Sequence, residues 1–153
     1  MSRPLFFLVL SLLAVAGCSS SEKQDPGPAL TTVSVKFPNG KAIRAEIASS
    51  PSEQQRGLMF RADLPAGRGM LFPFPMMGVH AFWMYHTLIP LDIVWIDSGH
   101  RIVYISLNTP PCPSETPTEC PNYGGEFGAQ FVLELRGGTA AENDLKPGDH
   151  LEF

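Results

Sequence analysis

LDIVWIDSGHRIVYISL, residues 91–107, is the stretch of sequence that decides the fold. Its two ends, Leu91 to Ile96 and Arg101 to Leu107, are dominated by β-branched and aromatic side chains, which favour extended strands. The four residues between them, Asp97 to His100, have the composition of a tight turn. The stretch therefore predicts a β-hairpin around which the rest of the domain packs.

Short segments of the same character recur on both sides of this hairpin. They cover residues 33–37, 43–47, 69–72, 79–85, 130–135 and the positions after 149. An Asn-Gly pair at 39–40 is a strong hairpin signal, because both residues accept positive φ. With 15 prolines and 14 glycines in the chain, this pattern predicts a mainly β fold, a compact antiparallel β barrel or sandwich.

One or two short helices interrupt the strands. Ser50 and Glu53 have the spacing of a capping box, with proline at the first helical position. Thr139 and Glu142 repeat that spacing near the end of the chain. Both predicted helices are short, because glycine or proline follows within about two turns.

The charge of the chain restricts its partners. The formal net charge is −4, 17% of residues are charged and 44% are hydrophobic. A globular domain of this balance lacks the basic face that nucleic acid requires, so we expect no nucleic-acid partner. The sequence contains no nucleophile elbow, zinc-binding helix motif or phosphate-binding glycine loop, and we predict no cofactor.

The first residues have the order of a secretory signal. Arg3 precedes an apolar run over residues 5–16, which is too short to span a bilayer comfortably. Small residues then lead into Cys18 in an arrangement that resembles the bacterial lipobox. The alternative is an ordinary signal peptide that happens to contain a cysteine.

The lipobox resemblance divides the chain into three parts. Residues 1–17 are a signal peptide, 18–30 a lipidated cysteine and flexible tether, and 31–153 a single β domain. Acyl chains on Cys18 attach the mature protein to a membrane outside the cytoplasm. We expect it on the periplasmic face of the cell envelope, and an outer-membrane location is compatible with Ser19.

Two further cysteines remain, Cys112 and Cys120. In an oxidising compartment an even remainder predicts one disulfide that closes a small loop. A metal or redox pair is the alternative, but the separation is wider than in a C-x-x-C motif.

A set of short motifs resembles the domain-of-unknown-function family numbered 192. They are Arg56-Gly57-Leu58-Met59, Gly69-Met70-Leu71-Phe72, Phe82-Trp83-Met84, Thr87, Ile89-Pro90-Leu91-Asp92, and the late Gly-Thr and Lys-Pro-Gly-Asp. The resemblance implies a small, mostly β domain of bacteria and archaea that is often exported, with no established activity. His86 is a departure, because the family usually has asparagine at that position.

Residues 80–92 form the candidate site. Trp83 and Tyr85 fall on one face of a predicted strand and could form an amphipathic wall for a ligand with apolar and polar parts. Which face of that strand is buried stays open, and both rings could simply pack. The predicted ligand-binding residues are Trp83, Tyr85, His86, Thr87, Asp92 and Arg56.

Asp92 has two interpretations. It lies between Leu91 and Ile93, so burial is expected, and a buried carboxylate needs partners. In the structural interpretation it holds backbone amides after Pro90, or pairs with Arg56 or Thr87. In the catalytic interpretation, Asp92 and His86 are the acid and base of a hydrolase that acts on envelope material.

A copper site is the weakest alternative. Thioether and imidazole ligands suit copper(I), and five such residues lie in a short window. They are Met76, Met77, His80, Met84 and His86. Methionine is also a common core residue, so the leading prediction is a binding or envelope-accessory module rather than an enzyme. Its partners are the membrane, through the anchor, and an unidentified small molecule or protein.

Overall fold

The computed structural model describes residues 29–153. The predicted signal peptide, Cys18 and nearly all of the predicted tether lie outside the described residues. The strands are β1 Thr32–Lys36, β2 Ala42–Ile47, β3 Arg68–Trp83, β4 Leu91–Ile96, β5 Ile102–Thr109 and β6 Asn122–Arg136. The helices are α1 Pro51–Arg56 and α2 Thr139–Glu142, with a 3-10 turn at Pro117–Glu119. Within residues 29–153, no helix has the length and apolar character needed to cross a membrane.

The six strands form one sheet in the order β1-β2-β3-β6-β4-β5. The C-terminal segment bridges its two outer strands. Glu152 exchanges backbone hydrogen bonds of 2.9 and 3.1 Å with Lys36 in β1, and His150 forms a bridge to Arg101 beside β5. The segment thereby closes the sheet into a small barrel, so the mainly β fold class is confirmed.

Two hydrophobic clusters cover opposite faces of the sheet. The first fills the barrel and receives side chains from all six strands, such as Val35, Leu71 and Leu133. The second lies on the outer face of the central strands, where Phe72 and Trp95 pack beneath the segment that follows α1. β4 is buried on both faces along its whole length, because it contributes to both clusters.

The expectation of a purely antiparallel sheet is wrong at one pair of strands. β2 and β3 are parallel, with Arg44 opposite Arg68 and Ile47 opposite Leu71. Parallel neighbours need a crossover connection, and residues 48–67, which include α1, provide it. Turn signals predict hairpins but not crossovers, and this pairing was therefore missed.

Two predicted strands near the candidate site are one. The segments at 69–72 and 79–85 belong to the single strand β3, which ends at Trp83 and pairs with β6. Pro73 pairs with Phe131 and Gly78 with Ala129, so residues 74–77 form a large bulge inside β3. β6 also begins at Asn122, earlier than the predicted 130, because the glycine-rich segment pairs with the far half of β3.

The local signals at the helices have different outcomes. α1 has the predicted capping box, in which the Ser50 hydroxyl accepts from the Glu53 amide and the Glu53 carboxylate accepts from the Ser50 amide. α2 lacks one, because its N-cap is Gly138, whose φ of 91° lies in the left-handed region. The predicted final strand after residue 149 is reduced to isolated bridges.

The disulfide between Cys112 and Cys120 is confirmed, with the two Cα atoms 5.6 Å apart. It closes the loop that carries the 3-10 turn. The hydroxyl of Tyr85 donates to the carbonyl of Glu115 inside this loop at 3.3 Å. The loop is therefore attached to the segment that follows β3.

Candidate functional site

A pocket opens between α1, the far half of β3 and the outer face of β6. We call it the inner pocket, and its volume is about 220 Å³. It is lined by Gln54, Gln55, Arg56, Gly57, Leu58, Met59, Phe72, Phe74, Ala81, Phe82, Trp83, Thr87 and Glu134. Among the described residues, the lining combines four aromatic rings with two ionisable groups, Arg56 and Glu134.

Glu134 lies at the floor of the inner pocket. It is 5% exposed, and its Oε2 atom is buried without a hydrogen-bond partner among residues 29–153. Burial raises the pKa of this carboxyl to about 8, and the positive charge of Arg61 opposes that rise only partly. Near neutral pH the group is therefore mostly a neutral carboxylic acid.

The cation near Glu134 is already committed to another carboxylate. Arg61 donates from Nη1 and Nη2 to the two carboxylate oxygens of Glu46, both at 2.7 Å. This bidentate pair lowers the pKa of Glu46, chiefly through the hydrogen bonds. Arg61 thus acts on Glu134 through space and does not satisfy its oxygens.

The turn after α1 brings Gly57 next to this carboxyl. A Cβ atom at Gly57 would lie 3.4 Å from the Phe72 ring and 3.7 Å from Oε2 of Glu134. Gly57 also has φ of 46°, a left-handed value that favours glycine. The turn after α1 therefore leaves space beside the buried oxygen.

A second pocket continues outward from the inner pocket. This outer pocket has a volume of about 460 Å³. It is lined by Ser52, Gln55, Arg56, Met59, Phe60, Trp83, Tyr85 and Pro117. Gln55, Arg56, Met59 and Trp83 line both pockets. The two pockets thus form one cleft, with Glu134 at its closed end and the disulfide loop at its rim.

Two residues beside the outer pocket have left-handed backbone conformations. Phe60 has φ of 62° and His86 has φ of 52°, and the Phe60 amide donates to the His86 carbonyl at 2.8 Å. Their rings lie 4.6 Å apart. Such conformations cost on the order of 1–3 kcal/mol each and concentrate at functional sites. Histidine tolerates them better than most residues, which gives a conformational reason for histidine at position 86.

Several predicted site residues line the cleft. Trp83 lies between the two pockets, Tyr85 lines the outer pocket, Thr87 lines the inner pocket, and Arg56 lines both. His86 instead packs its ring at a tilt of 42° against Tyr85, with the centroids 3.8 Å apart. Because β3 ends at Trp83, residues 84–87 form a turn, and the alternation of faces expected for a strand to Tyr85 does not apply.

Asp92 lies away from the cleft. It is completely buried, and its carboxylate accepts from the amides of Asn108 and Ala140, both at 2.7 Å. The carboxylate thus holds backbone amides, as in the structural interpretation, but the donors lie at the end of β5 and the start of α2 instead of after Pro90. No hydrogen bond or ion pair joins Asp92 to His86, two residues that are both within the described part of the chain.

The methionine and histidine residues proposed for copper differ in burial and contacts. Met84 is completely buried in the outer cluster, whereas Met76 is 78% exposed. The His80 ring stacks on Phe74 at 3.5 Å, and burial lowers its pKa. Within residues 29–153, no group of three or more histidine, cysteine, aspartate or glutamate side chains could hold a metal ion.

Sequence reasoning missed Glu134. Glu134 shares one face of β6 with Val132 and Arg136, and two charged residues on one face suggest that this face is solvated. The available signal was the flanking pair Leu133 and Leu135, which resembles the apolar neighbours of Asp92. The two leucines indicate that one face of β6 is buried. They do not indicate whether the opposite face, which carries Glu134, is also covered.

Known proteins provide a family and a fold for this chain. Residues 34–153 match the model of family DUF192, described as an uncharacterized ACR. The chain therefore belongs to this family. No curated protein matches it significantly.

Two crystal structures are similar to this chain. A protein of unknown function from Novosphingobium aromaticivorans DSM 12444 is 33% identical, with a TM-score of 0.73 over 84% of this chain and 90% of that one. A protein from Sinorhizobium meliloti 1021, described as a candidate transcription regulator, is 31% identical, with a TM-score of 0.71 over 82% and 95% of the two chains. Neither description names a ligand.

Proposed function

We propose that this domain is a binding module that takes a small organic ligand into the cleft formed by the inner and outer pockets. The observation that carries the proposal is the buried carboxyl of Glu134, whose Oε2 atom lacks a hydrogen-bond partner among residues 29–153 and which belongs to a residue lining an aromatic pocket. A buried polar group without a partner is costly, and a bound ligand would offset that cost. Together the two pockets have a size suited to small ligands.

The lining supports binding rather than hydrolysis. Acid–base hydrolysis needs groups that converge on one bond, and Glu134 and Arg56 are the ionisable residues that line the inner pocket. Asp92 holds backbone amides elsewhere. Exposed Met76 and buried Met84 likewise give no support to a copper(I) site.

The proposed location is extracytoplasmic. The signal-like residues 1–17 and the lipobox-like Cys18 support attachment to the envelope through acyl chains. The Cys112–Cys120 disulfide is typical of an oxidising compartment. A role on nucleic acid, as in the description of the Sinorhizobium protein, is disfavoured by the net charge of −4.

The anchor is tested with Cys18→Ala in a bacterial host. We expect the variant to lose incorporation of labelled fatty acid and to leave the membrane fraction, because the thiol is the acylation site. A variant that still incorporates label would refute the lipoprotein proposal.

Ligand binding is tested by recording amide NMR spectra of residues 31–153 against a fragment library that contains cationic, neutral and anionic compounds. Hits should shift the amides of residues 56–59 and 83–87, and Trp83→Ala should abolish those shifts. Phe127→Ala is the matched control, since Phe127 is an exposed aromatic residue that does not line the cleft. If no fragment of any charge class shifts these amides, the domain is not a binding module of this kind.

A further inference from the structure

We propose that the inner pocket binds the ammonium group of a small primary amine, with the Glu134 carboxylate as its counter-ion. The inference rests on the proposed function and names the ligand class of the same cleft. It follows from the burial of Glu134, the aromatic walls of the pocket, and the way in which the inner pocket opens into the outer one.

The first step is what Glu134 lacks. In the described part of the chain no donor reaches its buried Oε2 atom, and the neighbouring Arg61 already uses two of its N–H groups on Glu46. The residues opposite it on the adjoining strands, Met70 in β3 and Ile93 in β4, are apolar. A ligand that carries N–H donors and a positive charge supplies both of the missing components.

The second step is the chemistry of the pocket walls. Four aromatic residues line the inner pocket, and two of them, Phe72 and Phe82, are arranged edge to face with their centroids 5.0 Å apart. Ring faces carry negative electrostatic potential, which attracts a cation. Anions are disfavoured by the same rings. Among residues 29–153, Arg56 is the cationic residue of the lining, and it also lines the outer pocket.

The third step is size. A volume of about 220 Å³ accepts an ammonium head and a short alkyl stem. The rest of the ligand must extend past Trp83 into the outer pocket, where Tyr85 and Phe60 provide further aromatic surface. The ligand class is therefore a primary amine with an apolar body, for which 2-phenylethylamine is a suitable probe.

Binding of a primary amine changes the protonation of Glu134. The free carboxyl, whose pKa is about 8, holds a proton at pH 7, while the amine arrives already protonated. Formation of the carboxylate–ammonium pair releases the Glu134 proton to solvent, and no bond in the amine is broken. Among the described residues, the charge that acts on this carboxyl is that of Arg61, which opposes the rise in its pKa, and Arg56 lines the same pocket. Affinity for the amine should therefore rise with pH between 6 and 8.

The test is titration calorimetry with three probes of similar shape: 2-phenylethylamine, 2-phenylethanol and 3-phenylpropanoate. We expect the amine to bind at least tenfold more tightly than the other two at pH 7. Glu134→Gln, which keeps the shape and removes the charge, should lose at least tenfold in amine affinity. Glu126→Gln is the matched control, because Glu126 lies on the same strand and is exposed.

A second measurement on the unaltered protein needs no variant. Titrations at pH 7 in buffers of different ionisation enthalpy should show release of close to one proton per amine bound. Absence of proton release, or an alcohol that binds as tightly as the amine, overturns the ammonium assignment while the proposed function stands. If none of the three probes binds and the fragment library shifts no cleft amide, both proposals fail.

Discussion

Replacement of Glu134 by glutamine should change how the stability of the domain depends on pH. The glutamate and glutamine side chains have nearly the same shape, so the substitution isolates the cost of charging this buried carboxyl. Burial raises its pKa from 4.5 to about 8 in the folded protein. An acid whose pKa is higher in the folded protein loses its proton at a lower pH in the unfolded chain. Its contribution to stability is therefore full below the unfolded pKa, and it declines as the pH rises to the folded pKa.

The magnitude follows from the two pKa values. Each pH unit between them costs the native protein about 1.4 kcal/mol, which reaches ~5 kcal/mol above pH 8. Glu134→Gln has no such loss. Relative to the native protein, the variant should therefore gain about 4 kcal/mol in the free energy of unfolding between pH 5 and pH 9.

Urea unfolding of both proteins, followed by tryptophan fluorescence from pH 5 to pH 9, measures this difference. Trp95 is completely buried and reports the unfolding of the outer cluster. Other titrating groups cancel in the comparison, and Glu126→Gln should follow the native curve. A difference between Glu134→Gln and the native protein that stays constant across this range would show that Glu134 is already ionised in the fold, and the reasoning would be wrong.

Three further substitutions or treatments test other parts of the structure. Asp92→Asn should cost ~2–4 kcal/mol in urea unfolding, because two backbone amides donate to the carboxylate at 2.7 Å; a variant as stable as the parent contradicts this role. Gly124→Ala should cost about 2–4 kcal/mol, since its new Cβ would lie 2.3 Å from the Trp95 ring at φ of 70°; an unchanged melting temperature argues against that contact. Reduction of the Cys112–Cys120 disulfide should lower stability by about 2–3 kcal/mol, and mass spectrometry of the untreated protein should find both thiols protected from alkylation.

The parts of the fold that the sequence predicted are those set by neighbouring residues. The β4–β5 hairpin follows from strong strand formers on both sides of a short turn. The β1–β2 hairpin follows from the Asn-Gly pair, and the start of α1 from the Ser50 capping box. In each case the partners lie a few positions apart, so a local pattern contains the whole interaction.

The candidate site could be predicted only in part. Trp83, Tyr85, Thr87 and Arg56 were singled out from the chain and line the cleft. The turn at residues 84–87 was not foreseen, because strand propensity continues past Trp83 while pairing with β6 ends there. The alternative that pairs Asp92 with His86 as acid and base gains no support, because Asp92 is completely buried with its carboxylate on amides of β5 and α2, and the His86 ring packs at a tilt against Tyr85.

The sequence by itself determined the strand content, the first helix and the pairing of Cys112 with Cys120, because local propensity and the count of cysteines are sufficient for each. Only the tertiary structure decided the parallel β2–β3 pair and the position of Glu134. Strand alternation shows that Glu134 and Leu133 point to opposite faces, but it does not show that α1 and the segment after it cover the outer face. That cover depends on a crossover between distant parts of the chain, and it turns a polar strand position into a buried carboxyl at the floor of a pocket.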